Sequence, residues 1–370
     1  MLSSLEKFNR VIDLVPPKSR EDIPVFPMMV GTVGHIAGIS QAEMMNSCDK
    51  WLEAMDKTFE IIGKPDVSMV ACPADSVFTM PLAARIPGRE LGENEMYQFI
   101  EKPQFEPDEY ERIMKMGWNA WFSEYLMRIQ VPPMTNPGQL WGRWAEVGKN
   151  FAKVFAHLGE RDIVPIFHTA DQPIYDSLSL IRSMMDFTCD LFEDPDQIMD
   201  IVRKYQPEKD EGNIRMLKQS GGTRIGIFAM RSSSVFISPS MFEELIWPNL
   251  SASIRRYAEA GIVSVIHADA NWVPMLKYFT ELPKGCCHIE LDGASDIFAA
   301  YDILGGYQSI AGDVPSTLFA MGTPDDVSEY CEKLITKIGM KGGFMLGSGC
   351  EIPPNAKPEN IKAMMDSVKR

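Results

Sequence analysis

The stretch that decides the fold is Gly261-Ile-Val-Ser-Val-Ile-His-Ala-Asp269. Its apolar part is short, rich in β-branched residues and begins with glycine, which is typical of a buried strand. It ends in His267 and Asp269, and side chains two residues apart in a strand point to the same side. A buried strand that aims an imidazole and a carboxylate at one point predicts a metal site or an acid/base pair.

The composition is that of a globular protein with one large domain or two medium ones: 370 residues, 45% hydrophobic and 24% charged. The net charge of −15 argues against nucleic acid or an anionic membrane as the main partner. No apolar run approaches the roughly 18 residues of a membrane span, and the first residues show no signal-peptide pattern. The seven cysteines have no regular spacing, so we expect free thiols or ligands in a cytoplasmic protein.

Strand-like and helix-like segments alternate along most of the chain. From residue 160 onward, strands are predicted at 162–167, 223–230, 261–266, 285–291, 308–311 and 342–346. Helices are predicted between them at 176–188, 195–220, 239–260, 271–282, 296–304 and 324–339. Two earlier strand-like runs, 22–30 and 66–72, bring the number of strands to eight. This rhythm predicts an α/β fold, a TIM-type (β/α)8 barrel. An open doubly wound sheet is the alternative, but no Gly-x-Gly-x-x-Gly turn follows the first strand.

We expect residues 1–370 to form a single barrel domain with an N-terminal extension over 1–21. Residues 79–145 are rich in Pro, Met, Trp and Glu and follow no clean strand–helix rhythm. We interpret 79–158 as a helical insertion or lid, with helices around 107–127 and 138–158.

Polar residues collect where the predicted strands end, which is where such barrels build their active sites. In chain order these residues are His168, Asp171, Arg231, His267, Asp269, Glu290, Asp292, Asp313 and Cys350, and the apolar Met230 ends the fourth of these strands beside Arg231. The first two strands contribute His35 and Asp75 more loosely. Polar residues gathered at one face are hard to explain as packing.

Four of these residues offer metal-binding atoms: His267, Asp269, Glu290 and Cys350. Zn²⁺ accepts nitrogen, oxygen and sulfur in a tetrahedral shell, whereas Mg²⁺ and Ca²⁺ prefer oxygen alone. The spacing by itself also allows a simple hydrogen bond between His267 and Asp269, with Cys350 as a small buried residue. A zinc site and a purely structural cluster therefore both stay open at this point.

Several short motifs follow one another in the C-terminal part: Gly312-Asp-Val-Pro315, Gly322-Thr-Pro-Asp-Asp-Val327, Gly343-Phe-Met-Leu346, Gly349-Cys-Glu-Ile-Pro353 and Ala356-Lys-Pro-Glu-Asn360. In this order they resemble the uroporphyrinogen decarboxylase superfamily, and most closely its branch of corrinoid-dependent zinc methyltransferases, which includes O-demethylase components. The resemblance covers residues 160–370 well and the N-terminal part weakly. It implies a (β/α)8 barrel.

In the zinc methyltransferases of that branch, a His-x-Cys pair and a later Cys before Ile-Pro bind zinc. His267 and Cys350 stand in matching positions, but Asp269 occupies the place of the first Cys. The layout is also similar to cobalamin-independent methionine synthase, and Glu290 fits the spacing of the glutamate found there. The resemblance thus implies a zinc shell of His267, Asp269, Glu290 and Cys350, and whether Asp269 or Glu290 is the weaker ligand stays open.

A carboxylate in place of a thiolate makes zinc harder and more Lewis acidic, which suits an ether oxygen. The resemblance, with this change, implies methyl transfer from a small-molecule O-methyl donor, a methoxylated aromatic, to the cob(I)alamin of a separate corrinoid protein. Zinc and the carried corrinoid are the implied cofactors, and a homodimer is one option for the assembly.

Three alternatives remain. One is methyl transfer from a methylated corrinoid to a thiol such as coenzyme M, or to tetrahydrofolate. Another is uroporphyrinogen decarboxylase itself, disfavoured because residues 26–35 contain no arginine for porphyrin carboxylates. The third is a non-catalytic corrinoid or metal chaperone.

Further residues receive weaker interpretations. Arg231 is expected to bind a substrate carboxylate or to support Asp269 or Asp313, and Asp313 to orient the zinc-bound histidine. With His267 and Asp269 they form the predicted catalytic set. The predicted substrate-binding set is His168, Asp171, Tyr175, Met230 and Trp272. Within it, Tyr175 and Trp272 are interpreted as ring-stacking walls, whereas His168 and Asp171 either bind substrate or stabilise their loop.

Overall fold

The computed structural model describes residues 2–369, which contain eleven β-strands. They are β1 (Val25–Phe26), β2 (Val67–Ser68), β3 (Ala83–Arg85), β4 (Gln98–Ile100), β5 (Val164–Pro165), β6 (Thr169–Asp171), β7 (Arg224–Phe228), β8 (Val263–Ala268), β9 (Cys287–Leu291), β10 (Ser309–Val314) and β11 (Phe344–Ser348). Seven form a parallel sheet in the order β1-β11-β10-β9-β8-β7-β6, while β2 pairs in parallel with β5. The remaining two, β3 and β4, form an antiparallel hairpin.

Backbone hydrogen bonds close the parallel strands into a barrel. The Asp66 N–H donates to the Val25 carbonyl at 3.1 Å, which joins β2 to β1. The Ile166 N–H donates to Ser68, and the His168 N–H to Arg224, each at 3.0 Å, so residues 164–171 bridge β2 and β7. Since β5 and β6 are two parts of this one segment, the ring has eight strand positions. The predicted (β/α)8 barrel is confirmed.

The helices fill the connections and surround the barrel. They are α1 (Ser4–Ile12), α2 (Thr32–Ala37), α3 (Gln41–Asn46), α4 (Cys48–Ile62), α5 (Pro73–Thr79), α6 (Asp108–Met116), α7 (Trp118–Ile129), α8 (Pro137–Gly159), α9 (Ile174–Arg182), α10 (Met184–Glu193), α11 (Pro195–Ser220), α12 (Pro239–Met241), α13 (Trp247–Glu259), α14 (Ile297–Leu304), α15 (Ser316–Met321), α16 (Pro324–Lys337) and α17 (Pro358–Ser367). A π-helical turn, Phe242–Ile246, joins α12 to α13, and short 3-10 helices span Arg20–Asp22, Leu276–Glu281 and Gly339–Lys341. No helix among the described residues combines the length and apolar character that crossing a membrane requires.

The barrel core follows from the apolar strands. Every residue of β9, β10 and β11 is buried, as expected for parallel strands covered by helices. The amino-terminal end is closed by α1, whose Phe8 ring lies 5.9 Å from the His288 ring and 4.8 Å from the Arg224 guanidinium. The carboxyl end therefore remains as the open face.

Several element boundaries differ from the sequence prediction. The first strand is confined to Val25–Phe26 because prolines flank it on both sides and cannot donate to a ladder. The predicted helix over 107–127 is two helices that meet at Gly117, and the one over 176–188 breaks at Ser183, both with positive φ. Residues 271–282 form only a short 3-10 helix. The β3–β4 hairpin within 79–158 was not predicted, and a lid role for that segment stays a prediction.

Candidate metal centre

Three potential ligand atoms converge at the carboxyl end of the barrel. His267 is the penultimate residue of β8, Asp269 follows that strand, and Cys350 lies two residues beyond β11. His267 Nε2 is 3.3 Å from Asp269 Oδ1, which is 4.0 Å from Cys350 Sγ, and the ligand atoms all lie within 4.8 Å of one another. Zinc bonds of about 2.0–2.3 Å place tetrahedral ligand atoms roughly 3.3–3.8 Å apart. Small side-chain shifts would thus complete a shell.

Glu290 contacts His267 from the opposite side of the ring. The parallel register of β8 and β9 sets these two residues side by side, and Glu290 Oε2 lies 3.0 Å from His267 Nδ1. A carboxylate that accepts from Nδ1–H fixes the tautomer in which Nε2 is free to bind a metal. Glu290 therefore faces the nitrogen that points away from Asp269 and Cys350.

The chemistry of the donor set fits a zinc ion. Imidazole nitrogen, carboxylate oxygen and thiol sulfur together match the mixed ligand preference of Zn²⁺. Glu290 Oε1 is buried and has no hydrogen-bond partner among the described residues, while Oε2 of the same carboxyl group contacts Nδ1 of His267. The residues present thus suit a cation at this position.

Electrostatics of the cluster point the same way. Burial disfavours the charged imidazole, but hydrogen bonds with Asp269, Cys350 and Glu290 outweigh it and raise the pKa of His267 well above its ordinary value. Burial works to raise the pKa of Asp269, and the contact with His267 lowers it overall. The anionic groups are therefore arranged around one positive charge, which a proton or a metal ion can supply.

Two hydrogen bonds hold the loop that carries Asp269. The Trp272 indole N–H donates to the Asp269 carbonyl at 2.9 Å, and the Ala270 N–H donates to Asp292 at 2.7 Å. Trp272 is fully buried, with edge-on contacts to core phenylalanines, so it does not form the ring-stacking wall that we expected. Phe228, whose ring lies 5.6 Å from that of His267, is an aromatic residue beside the cluster.

Arg231 lies on the rim and has a different partner from those predicted. Its guanidinium donates to Glu101 at 2.8 Å, rather than to Asp269 or Asp313. Its backbone N–H donates to Asp176 at 2.7 Å. The sequence interpretation missed both Glu101 and Asp176, because neither belongs to a motif. The signal that could have indicated a role for Asp176 is its position, an acidic residue among apolar ones at the start of α9.

Asp176 is a buried carboxylate that ties α9 to the loop after β7. Burial raises its pKa to about 7, against the hydrogen bonds from the Arg231 backbone and the Ser232 hydroxyl, which favour the charged form. Its environment is that of a structural anchor for the rim.

Asp313 does not contact His267 in the structure. It accepts from the Tyr330 hydroxyl of α16 at 2.8 Å, and burial raises its pKa to about 6. The orienting contact to the histidine that we expected from Asp313 is made by Glu290 instead. Both carboxylates lie near the carboxyl ends of parallel strands, and only the tertiary contacts distinguish them.

Of the other predicted substrate-binding residues, His168 lies away from the cluster and Met230 lies at the same end of the barrel. His168 is level with Arg224, the first residue of β7, where its Nδ1 accepts from the Thr223 N–H at 3.3 Å and burial lowers its pKa to about 4. The structure thus places it towards the amino-terminal end of the barrel. Met230, half-buried two residues after β7, lies at the same end of the barrel as the cluster.

Asp171 and Tyr175 face the surrounding helices. Asp171 is buried and forms an ion pair with Lys209 of α11. Tyr175 is buried against Phe187 of α10, with the two ring centroids 5.2 Å apart. These contacts hold helices to the barrel, which is the structural interpretation left open for Asp171 and corrects the wall role expected for Tyr175.

The fold and the cluster define a (β/α)8 barrel protein with a candidate metal centre at the carboxyl ends of its strands. Residues 159–370 match the family model of uroporphyrinogen decarboxylase (URO-D), and the chain belongs to this family. The resemblance to that superfamily is thereby confirmed.

Two individual proteins illustrate the relationship. Uroporphyrinogen decarboxylase of Vesicomyosocius okutanii is 26% identical over 121 residues, which is 30% of this chain and 34% of that protein. This match spans about a third of the relative's length. A solved methyltransferase from Methanosarcina mazei shares the fold with a TM-score of 0.67 at 13% identity, covering 100% of this chain and 99% of that chain. At this identity the likeness shows that the two chains share a fold.

Proposed function

We propose that this protein is a zinc-dependent methyltransferase. It would move a methyl group from an O-methyl donor, a methoxylated aromatic, to the cob(I)alamin of a separate corrinoid protein. The observation that carries the proposal is the cluster of one imidazole, one carboxylate and one thiol within 4.8 Å at the carboxyl end of the barrel. Membership of the URO-D family and the shared fold of a methyltransferase support it.

In this proposal His267, Asp269 and Cys350 are the zinc ligands, and Glu290 orients His267 through Nδ1. Zinc supplies Lewis acidity for the oxygen of the methyl donor. A shell with one thiolate is harder than one with two, and it favours an oxygen donor over a sulfur acceptor. The seven cysteines are all free thiols, which agrees with a reducing compartment, and we place the reaction in the cytoplasm.

The residues of the chain position the donor for displacement. Phe228 borders the cluster and offers an aromatic edge to the aryl ring, while Trp272 holds the Asp269 loop in place. The methyl carbon–oxygen bond breaks as the cobalt(I) of the acceptor supplies two electrons to form a carbon–cobalt bond. The electron pair of the broken bond stays on oxygen, which leaves as a phenolate and is later protonated.

Methyl transfer from a methylated corrinoid to a thiol or to tetrahydrofolate is the first competing function. It uses the same barrel, and the family relationship is equally compatible with it. Asp269 is the observation against it, because an acceptor thiol is better matched by a softer, thiolate-rich zinc.

Decarboxylation of uroporphyrinogen is the second competing function, supported by the name of the family and of the curated relative. Residues 26–35 offer no arginine to the substrate's carboxylates. Asp75, the carboxylate that we compare with the catalytic aspartate of that enzyme, is 1% exposed and accepts from Arg143 at 2.8 Å and Asn150 at 3.0 Å. A carboxylate enclosed in this way is poorly placed to meet a pyrrole.

The test combines zinc analysis with a methyl transfer assay. Wild type, Cys350→Ser and a control, Cys189→Ser, would be given reduced cobalamin and a panel of O-methyl donors. Cys189 is an exposed free thiol on α10. We expect about one zinc per chain and demethylation for wild type and the control, and loss of both for Cys350→Ser.

Each part of the proposal has its own contradicting result. Normal zinc content in Cys350→Ser would show that the ligand assignment is wrong. A wild type that only methylates thiols from methylcobalamin would contradict the proposed donor. No methyl transfer to any acceptor, together with loss of zinc on purification, would favour a non-catalytic carrier.

A further inference from the structure

The hairpin β3–β4 and the residue after it, 83–101, form a segment that we call the strap. At one end, Met96 packs so closely on Gly31, after β1, that a Cβ at Gly31 would overlap the methionine sulfur. The Ala42 N–H also donates to the Glu93 carbonyl at 2.9 Å. At the other end, Glu101 contacts Arg231, after β7. The strap thus connects the carboxyl ends of two separated strands at the face that carries the candidate metal centre.

Besides Glu101, two contacts hold Arg231 in place. Its backbone N–H is bound to Asp176, and its guanidinium lies 5.0 Å from the Phe236 ring centroid, within the range of a cation–π contact. Only 12% of its side chain is exposed. The guanidinium is therefore a fixed positive charge on the rim rather than a mobile surface group.

Glu101 occupies this charge. One carboxylate oxygen lies 2.8 Å from the Arg231 guanidinium, and the other accepts from the Met184 N–H at 2.9 Å. Both oxygens are thus used by the protein. A ligand carboxylate would have to displace Glu101, which the chain tethers beside Arg231 and which would also give up its contact with the Met184 N–H, so the exchange returns no net gain.

The metal centre itself offers no compensation. Asp269 and Glu290 place two carboxyl groups within 3.3 Å and 3.0 Å of the nitrogens of the one imidazole. A further carboxylate, on the ligand, would enter a region that is already anionic, where charges of like sign repel. An uncharged aromatic ether meets no such penalty.

We propose that Glu101 is a specificity-determining residue: by occupying Arg231, it makes the site select an uncharged methoxylated aromatic and reject one that bears a carboxylate. This inference rests on the proposed function and adds the substrate class. It also replaces our expectation that Arg231 binds a substrate carboxylate.

Equilibrium binding tests the inference without any need for catalysis. Zinc-loaded wild type would be titrated calorimetrically at pH 7.5 with 2-methoxyphenol and with 4-hydroxy-3-methoxybenzoate, which differ by one carboxylate. We expect the uncharged ligand to bind at least about tenfold more tightly. In Glu101→Gln, the benzoate should gain about tenfold in affinity, because Arg231 becomes free, while the affinity for the phenol changes little.

Two further variants locate the effect. Arg231→Gln combined with Glu101→Gln should remove the gain in benzoate binding. Glu93→Gln removes the same charge from the exposed loop of the strap, where the Glu93 backbone carbonyl still accepts from the Ala42 N–H, and should match wild type. Thermal melting of each variant checks that it is folded. The comparison of the two ligands in wild type does not depend on any variant.

Equal or tighter binding of the benzoate by wild type would overturn the inference, and so would an unchanged preference in folded Glu101→Gln. Either result leaves the methyltransferase proposal standing if methyl transfer is observed. Absence of methyl transfer with the binding preference intact would overturn the proposed function alone.

Discussion

Nδ1 of His267 lies 3.0 Å from Oε2 of Glu290, while Nε2 of the same ring lies 3.3 Å from Asp269. The two carboxylates thus hold opposite nitrogens of one imidazole. Because the ring has only two nitrogens, this relationship divides the roles: Asp269 shares its side with Cys350, and Glu290 stands behind the ring. The predictions below test that division and the supports around it.

Replacing Glu290 should weaken zinc binding without abolishing it. Glu290→Gln keeps an oxygen that can accept from Nδ1–H but loses the charge, so we expect about tenfold weaker zinc, and about a hundredfold for Glu290→Ala. Competition with a chelator measures both. Cys350→Ser, which changes a proposed ligand, should lose more. Wild-type zinc affinity in Glu290→Ala would contradict the orienting role.

Asp269→Cys tests whether the carboxylate sets the preference for oxygen. The variant restores the His-x-Cys pattern, and a second thiolate should retain zinc while lowering its Lewis acidity. We expect demethylation of aryl ethers to fall at least about tenfold. The measurements are zinc content and initial rates with an ether donor. Undiminished ether demethylation by the zinc-loaded variant would show that Asp269 does not decide the substrate.

Trp272→Phe should loosen the ligand loop. The change keeps the apolar packing but removes the N–H that donates to the Asp269 carbonyl, at a cost of about 1–2 kcal/mol in unfolding free energy. Tyr125→Phe is the matched control, since it likewise removes a buried donor to a backbone carbonyl, that of Pro81 at 2.8 Å. Urea unfolding should show similar losses in both, whereas zinc affinity should fall only in Trp272→Phe. Equal zinc affinities would exclude a positioning role.

The stability should depend on pH through Asp176. Burial raises its folded-state pKa to about 7, above its ordinary value of 3.8, so the folded state holds the proton more tightly than the unfolded state. The resulting stabilisation is complete below about pH 4 and is lost as the pH rises through 7, by about 4 kcal/mol at most.

Asp176→Asn removes this titration while keeping the shape and an acceptor for the Arg231 N–H. Unfolding free energies between pH 5 and 8 should therefore fall less steeply in the variant than in wild type. Asp313→Asn serves as a comparison, because that carboxyl is also buried with a raised pKa and should contribute in the same direction. Identical slopes in Asp176→Asn and wild type would show that Asp176 is ionised in the folded protein near neutral pH.

The barrel and its family could be predicted from local patterns. Eight apolar segments separated by helical ones indicate parallel βαβ units whatever their later packing. His267 and Asp269 were found because a strand places residues i and i+2 on one side, a rule that needs no tertiary information. Cys350 was found through its motif before Ile352-Pro353. These elements depend on chain geometry over a few residues.

The roles within the site depended on contacts between distant segments. Glu290 contacts Nδ1 of His267 because of the cross-strand register of β8 and β9, which is set by packing. Glu101 meets Arg231 across 130 positions of sequence, through a hairpin that no periodicity indicated. A tryptophan or an aspartate at a strand end can face a ligand or a neighbouring helix. The sequence alone therefore could not show which of these two orientations Trp272 and Asp313 adopt. The sequence by itself determined the strands, the donor atoms and the family; only the tertiary structure decided which carboxylate meets which nitrogen, because that choice rests on register and burial.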